Sequence, residues 1–95
     1  MTASIAPVYR EFTREQSSAI ARLHVEQGCH TTGQPGFVEI VFQSSDRAYG
    51  FDADPTFCDD LIQIISCPDL GGVSLGRLIA QARRNGNLTV IEQAN

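Results

Sequence analysis

FVEIVFQSSDRAYGFDADPTFCDDLIQII, residues 37–65, reads as a β-hairpin that runs directly into a capped helix. Five of the six residues from Phe37 to Phe42 are apolar, and their aliphatic and aromatic character is that of a buried strand. Alternation puts Val38, Ile40 and Phe42 on one face, with Phe37, Glu39, Val41 and Gln43 on the other. Ser44-Ser45-Asp46-Arg47 is a run of turn formers, after which Tyr49 and Phe51 alternate with Ala48, Gly50 and Asp52. Asp54-Pro55 then supplies a helix start, Asp as the cap and Pro at the first helical position.

On the N-terminal side, Thr13 and Gln16 have capping-box spacing, with Glu15 in the first turn. They predict a first helix from Thr13 that carries a narrow stripe of Gln16, Ala19, Ile20 and Leu23 and is closed by Gly28. Arg14, Ser18, Arg22 and Glu26 face away from that stripe, and the loop 29–36, CHTTGQPG, follows. Residues 1–9 are read as a frayed tail or a short edge strand through Ser4, Ile5 and Val8, interrupted by Pro7. On the C-terminal side, a second helix from Pro55 to about Ser66 buries Phe57, Leu61, Ile64 and Ile65, and Pro68 stops it. Ser74 caps a third helix whose core stripe is Leu75, Leu78, Ile79 and Ala82, and Gly86 ends it behind Arg83 and Arg84. Residues 88–92, LTVIE, form a last strand, and 93–95 fray. The expected fold is a single α+β domain spanning 1–95: the hairpin 37–52 joined by strand 88–92 in a small antiparallel sheet, packed against three helices.

Ninety-five residues with 42% hydrophobic and 19% charged residues suit one globular domain and exclude wholesale disorder. No apolar run approaches the ~20 residues that span a bilayer, so no membrane partner is expected. MTASIAPVYREF lacks a basic segment followed by an apolar one, so no signal peptide is expected. Three cysteines then suit free thiols in a reducing compartment, and the expected location is cytoplasmic. All seven basic residues are Arg, which codon bias accounts for. Residues 1–36 balance to zero, 37–72 carry seven acids against Arg47, and 73–95 carry three Arg against Glu92, within a total of −4. A negative chain is a poor non-specific ligand for nucleic acid, whose binding depends on phosphate neutralisation.

Cys29-His30, with His24 upstream, is the first place to seek a metal or a nucleophile. No CxxC or HxxxH pair is present, so no metal site is expected, and Cys58 reads as a core residue. Adjacent residues rarely present a thiol to its own imidazole, so Cys29-His30 is not read as a catalytic pair. Asp52-Ala53-Asp54 opens like a calcium loop but lacks the later Gly and Glu. Gly71-Gly72 before Ser74 and Arg77 resembles an anion cradle without Walker spacing or lysine. The expectation is therefore no catalytic residue and no cofactor.

Two surfaces remain. The first is an acidic face of Asp46, Asp52, Asp59 and Asp60, with Arg47 and Tyr49 beside it, suited to docking on a basic partner. The second is the polar side of the third helix, where Ser74, Arg77, Arg83 and Arg84 offer a contact to nucleic acid or another anion. The first surface predicts a small non-enzymatic interaction module, an antagonist or adaptor of a larger protein or nucleoprotein complex. Its size and charge match phage- or mobile-element-type inhibitors such as anti-CRISPR, anti-restriction or immunity proteins. The second predicts a nucleic-acid-binding module.

Overall fold

Arg22-Leu23-His24-Val25-Glu26 alternates polar and apolar residues, and this segment is a β-strand rather than the body of a helix. The computed structural model describes residues 7–45 and 47–93; Ser4, Ile5, Asp46 and residues 94–95 lie outside them. In chain order the elements are β1 (Val8–Glu11), β2 (Ile20–Glu26), β3 (Gly36–Phe42) and β4 (Ala48–Ala53), then α1 (Pro55–Ile65), a 3-10 turn (Leu70–Gly72), α2 (Leu75–Asn85) and β5 (Leu88–Gln93). The five strands form one antiparallel sheet in the order β1-β2-β3-β4-β5. This corrects the expected architecture: the described residues hold five strands and two α-helices, not three strands and three helices.

The first-helix expectation fails for a local reason. The capping box does form, with the Thr13 amide donating to Gln16 Oε1 at 3.0 Å and the Gln16 amide to Thr13 Oγ1 at 3.3 Å. It closes a single turn. The buried Ser17 then accepts the Ile20 amide at 3.0 Å, ending helical bonding. The Gln43 side-chain amide, from the far end of β3, reaches the carbonyls of Phe12, Ser17 and Ile20 at 3.1–3.2 Å. A bulge explains the misleading spacing. Ile20 pairs with Phe42 and Arg22 with Val41, so one extra residue sits between them and both Ile20 and Leu23 face the helices. Two core residues three apart on a bulged strand imitate a helical stripe.

The other expected elements form close to their predicted bounds. Asp54 Oδ2 accepts the Phe57 amide at 3.3 Å, with Pro55 in the first turn of α1. Gly86 closes α2 at φ 83°, a left-handed conformation that favours glycine. Val25, Val38, Ile40 and Phe51 on the sheet pack with Leu61 and Ile65 of α1 and Leu75 and Ile79 of α2 in one core. Both helices therefore lie on the same side of the sheet, α1 against β2 and β3 and α2 against β5.

Two contacts seat the helices. A Cβ at Gly36 would collide with Cys58 Sγ and with the Glu26 carbonyl, so α1 rests where the sheet has no side chain. At the other end of α1, the Arg10 guanidinium donates to the carbonyls of Ile65 at 2.7 Å, Cys67 at 2.6 Å and Pro68 at 3.1 Å. It satisfies carbonyls that a helix end leaves open and ties the edge strand β1 to them. Gly36→Ala is expected to destabilise the fold by about 1–3 kcal/mol through overpacking, read as a lower urea midpoint. Arg10→Met keeps much of the aliphatic stem and removes charged hydrogen bonds, and is expected to cost about 2 kcal/mol in the same measurement.

Candidate functional site

Strand pairing defines the side of the sheet away from the helices. Tyr9, His24, Glu39 and Gly50 stand opposite one another in one row across β1 to β4. Glu11, Arg22, Val41 and Ala48 form a second row. Glu26, Phe37, Asp52 and Thr89 form a third, reaching β5. Among the described residues no element covers this face. It carries Glu11, Glu26, Glu39 and Asp52 against the single arginine Arg22. His24 Nε2 donates to Glu26 Oε2 at 3.0 Å, and its ring stands edge-on to Phe37 with centroids 6.5 Å apart. The Tyr9 hydroxyl donates to Glu11 Oε2 at 2.8 Å, and Tyr9 is exposed. The result is a negative surface that also presents the Tyr9 and Phe37 rings.

The acidic residues singled out from the sequence are dispersed. Asp46 lies outside the described residues, and Arg47 is exposed in the β3–β4 turn. Tyr49 is on the helix side of β4, edge-on to Phe42 at 5.7 Å, whereas Asp52 is on the outer side. Asp59 is engaged within the chain: Oδ1 accepts from Gln27 Nε2 at 3.0 Å and Oδ2 from His30 Nε2 at 2.6 Å, anchoring the 29–34 turn to α1. Asp60 is exposed on the far side of the helices, lining a groove with Ile64, Val73 and Leu78. The four residues of the outer face that matter most, Glu11, Arg22, Glu26 and Glu39, were assigned no role by the sequence. The signal that finds them is the alternation R-L-H-V-E over residues 22–26, which places β2 in the sheet.

The arginines of α2 separate as well. Ser74 makes no side-chain cap bond. Together with Arg77, Arg14 and Gln16 it lines an open cleft of about 510 Å³ between the 13–19 turn and the start of α2. Gly76 permits that approach, because a Cβ there would lie 2.8 Å from the Ala19 methyl. Arg83, at the opposite end of α2, lies over the Phe51 ring at 5.5 Å, and Arg84 is exposed.

The three cysteines are free. The Cys29 thiol is held below its usual range, chiefly by the Thr32 hydroxyl, then by the Thr32 and Thr31 amides, with His30 contributing least. Cys58 is pushed up to about 11 by burial, with the Asp59 charge adding to it. Among the described residues no group of three or more His, Cys, Asp or Glu is placed to hold a metal ion. Among them also, no helix is long and apolar enough to cross a membrane.

No family model, no curated protein and no solved structure matches this chain.

The two thiols should separate by pH. Thiolate is the reacting form, so alkylation of Cys29 in the folded protein is expected to reach half its maximal rate below the ordinary cysteine pKa, while Cys58 reacts only on unfolding. Folding favours the protonated Cys58 thiol. Its contribution to stability is complete below the unfolded thiol pKa near 9 and is lost as pH rises through about 11. Chemical denaturation of the Cys58→Ala variant alongside the parent from pH 8 to 11 checks this; parallel curves would contradict it.

Proposed function

We propose that the protein is a non-enzymatic interaction module that presents its outer sheet face to a basic surface on a larger protein or nucleoprotein complex. In that role it acts as an antagonist or adaptor, the manner of small phage- or mobile-element-type inhibitors, in a reducing cytoplasm. The observation that carries this reading is the uncovered face itself, where Glu11, Glu26, Glu39 and Asp52 outnumber Arg22. Negative potential over a surface accelerates encounter with a positive partner and rejects negative ones. Tyr9 and Phe37 supply the rigid aromatic area that interface anchors use. The acidic contact is thus moved from the residues 46–60 region to the outer side of β1–β4.

The arginine reading retains one specific support. Arg14 and Arg77 flank the open amides at the start of α2, beside a Ser74 hydroxyl that caps nothing. A nucleic-acid phosphate is the ligand of that alternative. Arg83 contributes less to it, being drawn toward Phe51.

Reversal of charge at Glu26→Lys and Glu39→Lys together is expected to weaken capture of the partner roughly tenfold and to flatten its salt dependence. Capture is measured from nuclease-treated lysate against the parent protein, with circular dichroism confirming that the variant folds. Undiminished, equally salt-sensitive capture would sink the acidic-face reading. Capture that disappears with nuclease and with Arg14→Glu/Arg77→Glu would transfer the function to the α2 cleft.

A further inference from the structure

The two edges of the sheet are protected unequally. β1 is four residues long, follows Pro7, and carries Arg10 and Glu11, all devices that blunt an edge. β5 is longer, with six residues, LTVIEQ, and no Pro, Lys or Arg; its own blunting devices are Glu92 and one bulge. Val90 and Ile91 are 53% and 50% exposed, and a register shift opposite Gly50 and Phe51 leaves Ile91 without a β4 partner. Among the described residues no strand pairs with the free side of β5. On the helix side that edge opens into a groove of about 430 Å³ lined by Phe42, Tyr49, Phe51, Val90 and Arg83, with Ser44 and Ser45 at its polar side. On the outer side it ends in Thr89, directly beside Asp52 of the acidic face.

We infer that β5 accepts an extended segment of the basic partner as a sixth strand, with apolar and basic residues alternating along it. This deepens the acidic-face reading and rests on it. A paired strand points successive side chains to opposite sides of the sheet. Those opposite Val90 enter the Phe42–Tyr49–Phe51 groove, where Arg83 repels a cation and apolar groups are accepted. Those opposite Thr89 stand roughly 10 Å, two strand spacings, from Asp52, a gap that an arginine and the Asp52 side chain close between them. The edge supplies backbone hydrogen bonds and the two sides supply the sequence preference. Charge favours a basic segment over a second copy as the occupant. Two chains joined at β5 would lay their acidic faces side by side in one continuous sheet, like charge against like.

The test titrates the full-length, nitrogen-15-labelled protein with three end-blocked octapeptides: alternating valine–arginine, alternating valine–glutamate, and a block peptide of four valines followed by four arginines. The expected result is at least tenfold tighter binding of the alternating basic peptide, with amide shifts centred on residues 88–93 and 49–51. Val90→Lys and Ile91→Lys, both at exposed positions, are each expected to weaken that binding at least fivefold. Equal binding of the alternating and block peptides, or no binding of any, overturns strand addition. Shifts confined to the outer sides of β1–β3 also overturn it, while leaving the acidic face intact as a docking surface. Loss of binding in the β5 variants but none in Asp52→Asn keeps the edge and removes the acidic face from strand recognition. Concentration-dependent dimerisation abolished by Ile91→Lys assigns the edge to a second copy and refutes the inference.

Discussion

The close approach of Cys58 to Gly36 sets the arrangement on which the remaining structure depends. Only a residue without a side chain leaves room there for the thiol and for the Glu26 carbonyl behind it. α1 begins two residues after β4 ends, so once Cys58 is seated the direction of the helix is fixed by the Asp54 cap and the Gly36 contact together. The far end of α1 then falls where Arg10 can reach its carbonyls. The Asp54 amide adds a bond to the Asn87 carbonyl at 3.0 Å, linking the start of α1 to the start of β5. One glycine thus coordinates the middle, an edge and the C-terminal strand of the sheet. Because both helices are held on one side, no described element covers the other.

The segments that were legible are those whose signals are local. The 37–52 hairpin, the Asp54-Pro55 start, the Gly86 end and the last strand each depend on a few adjacent residues, and each forms where its residues imply. The segment 13–26 was not legible by the same means. Its capping-box bonds are real, and its 20/23 spacing suits a helix, yet distant groups decide it. Gln43, more than twenty residues away, claims three carbonyls of residues 12–20, and β3 claims the backbone of 20–26. Local propensity yields wherever a non-local partner satisfies the same backbone groups.

Charge counted along the sequence points to residues 46–60, whereas strand register gathers a different set of acids on the outer side of the sheet. Residues 46–60 cross from a turn through a strand into a helix, so their side chains leave the protein in several directions, and Asp59 is spent on Gln27 and His30. Glu11, Glu26 and Glu39 are separated along the chain and meet only through strand register. Misreading β2 as a helix therefore concealed the face as well as the fold.

The sheet is a meander through its first four strands, each next to its predecessor in the chain, but β5 reaches β4 only after α1 and α2 intervene. Loops that close early cost little chain entropy, whereas the pairing of Asp52 with Thr89 closes a long one. On the ribosome, where the chain emerges from its N-terminus, β1–β4 are complete while β5 is still enclosed, and β4 is the temporary edge. Phe51, one of the largest side chains of the finished core, sits on that edge. The order of synthesis thus gives the nascent protein a sticky intermediate that β5 converts into the native sheet.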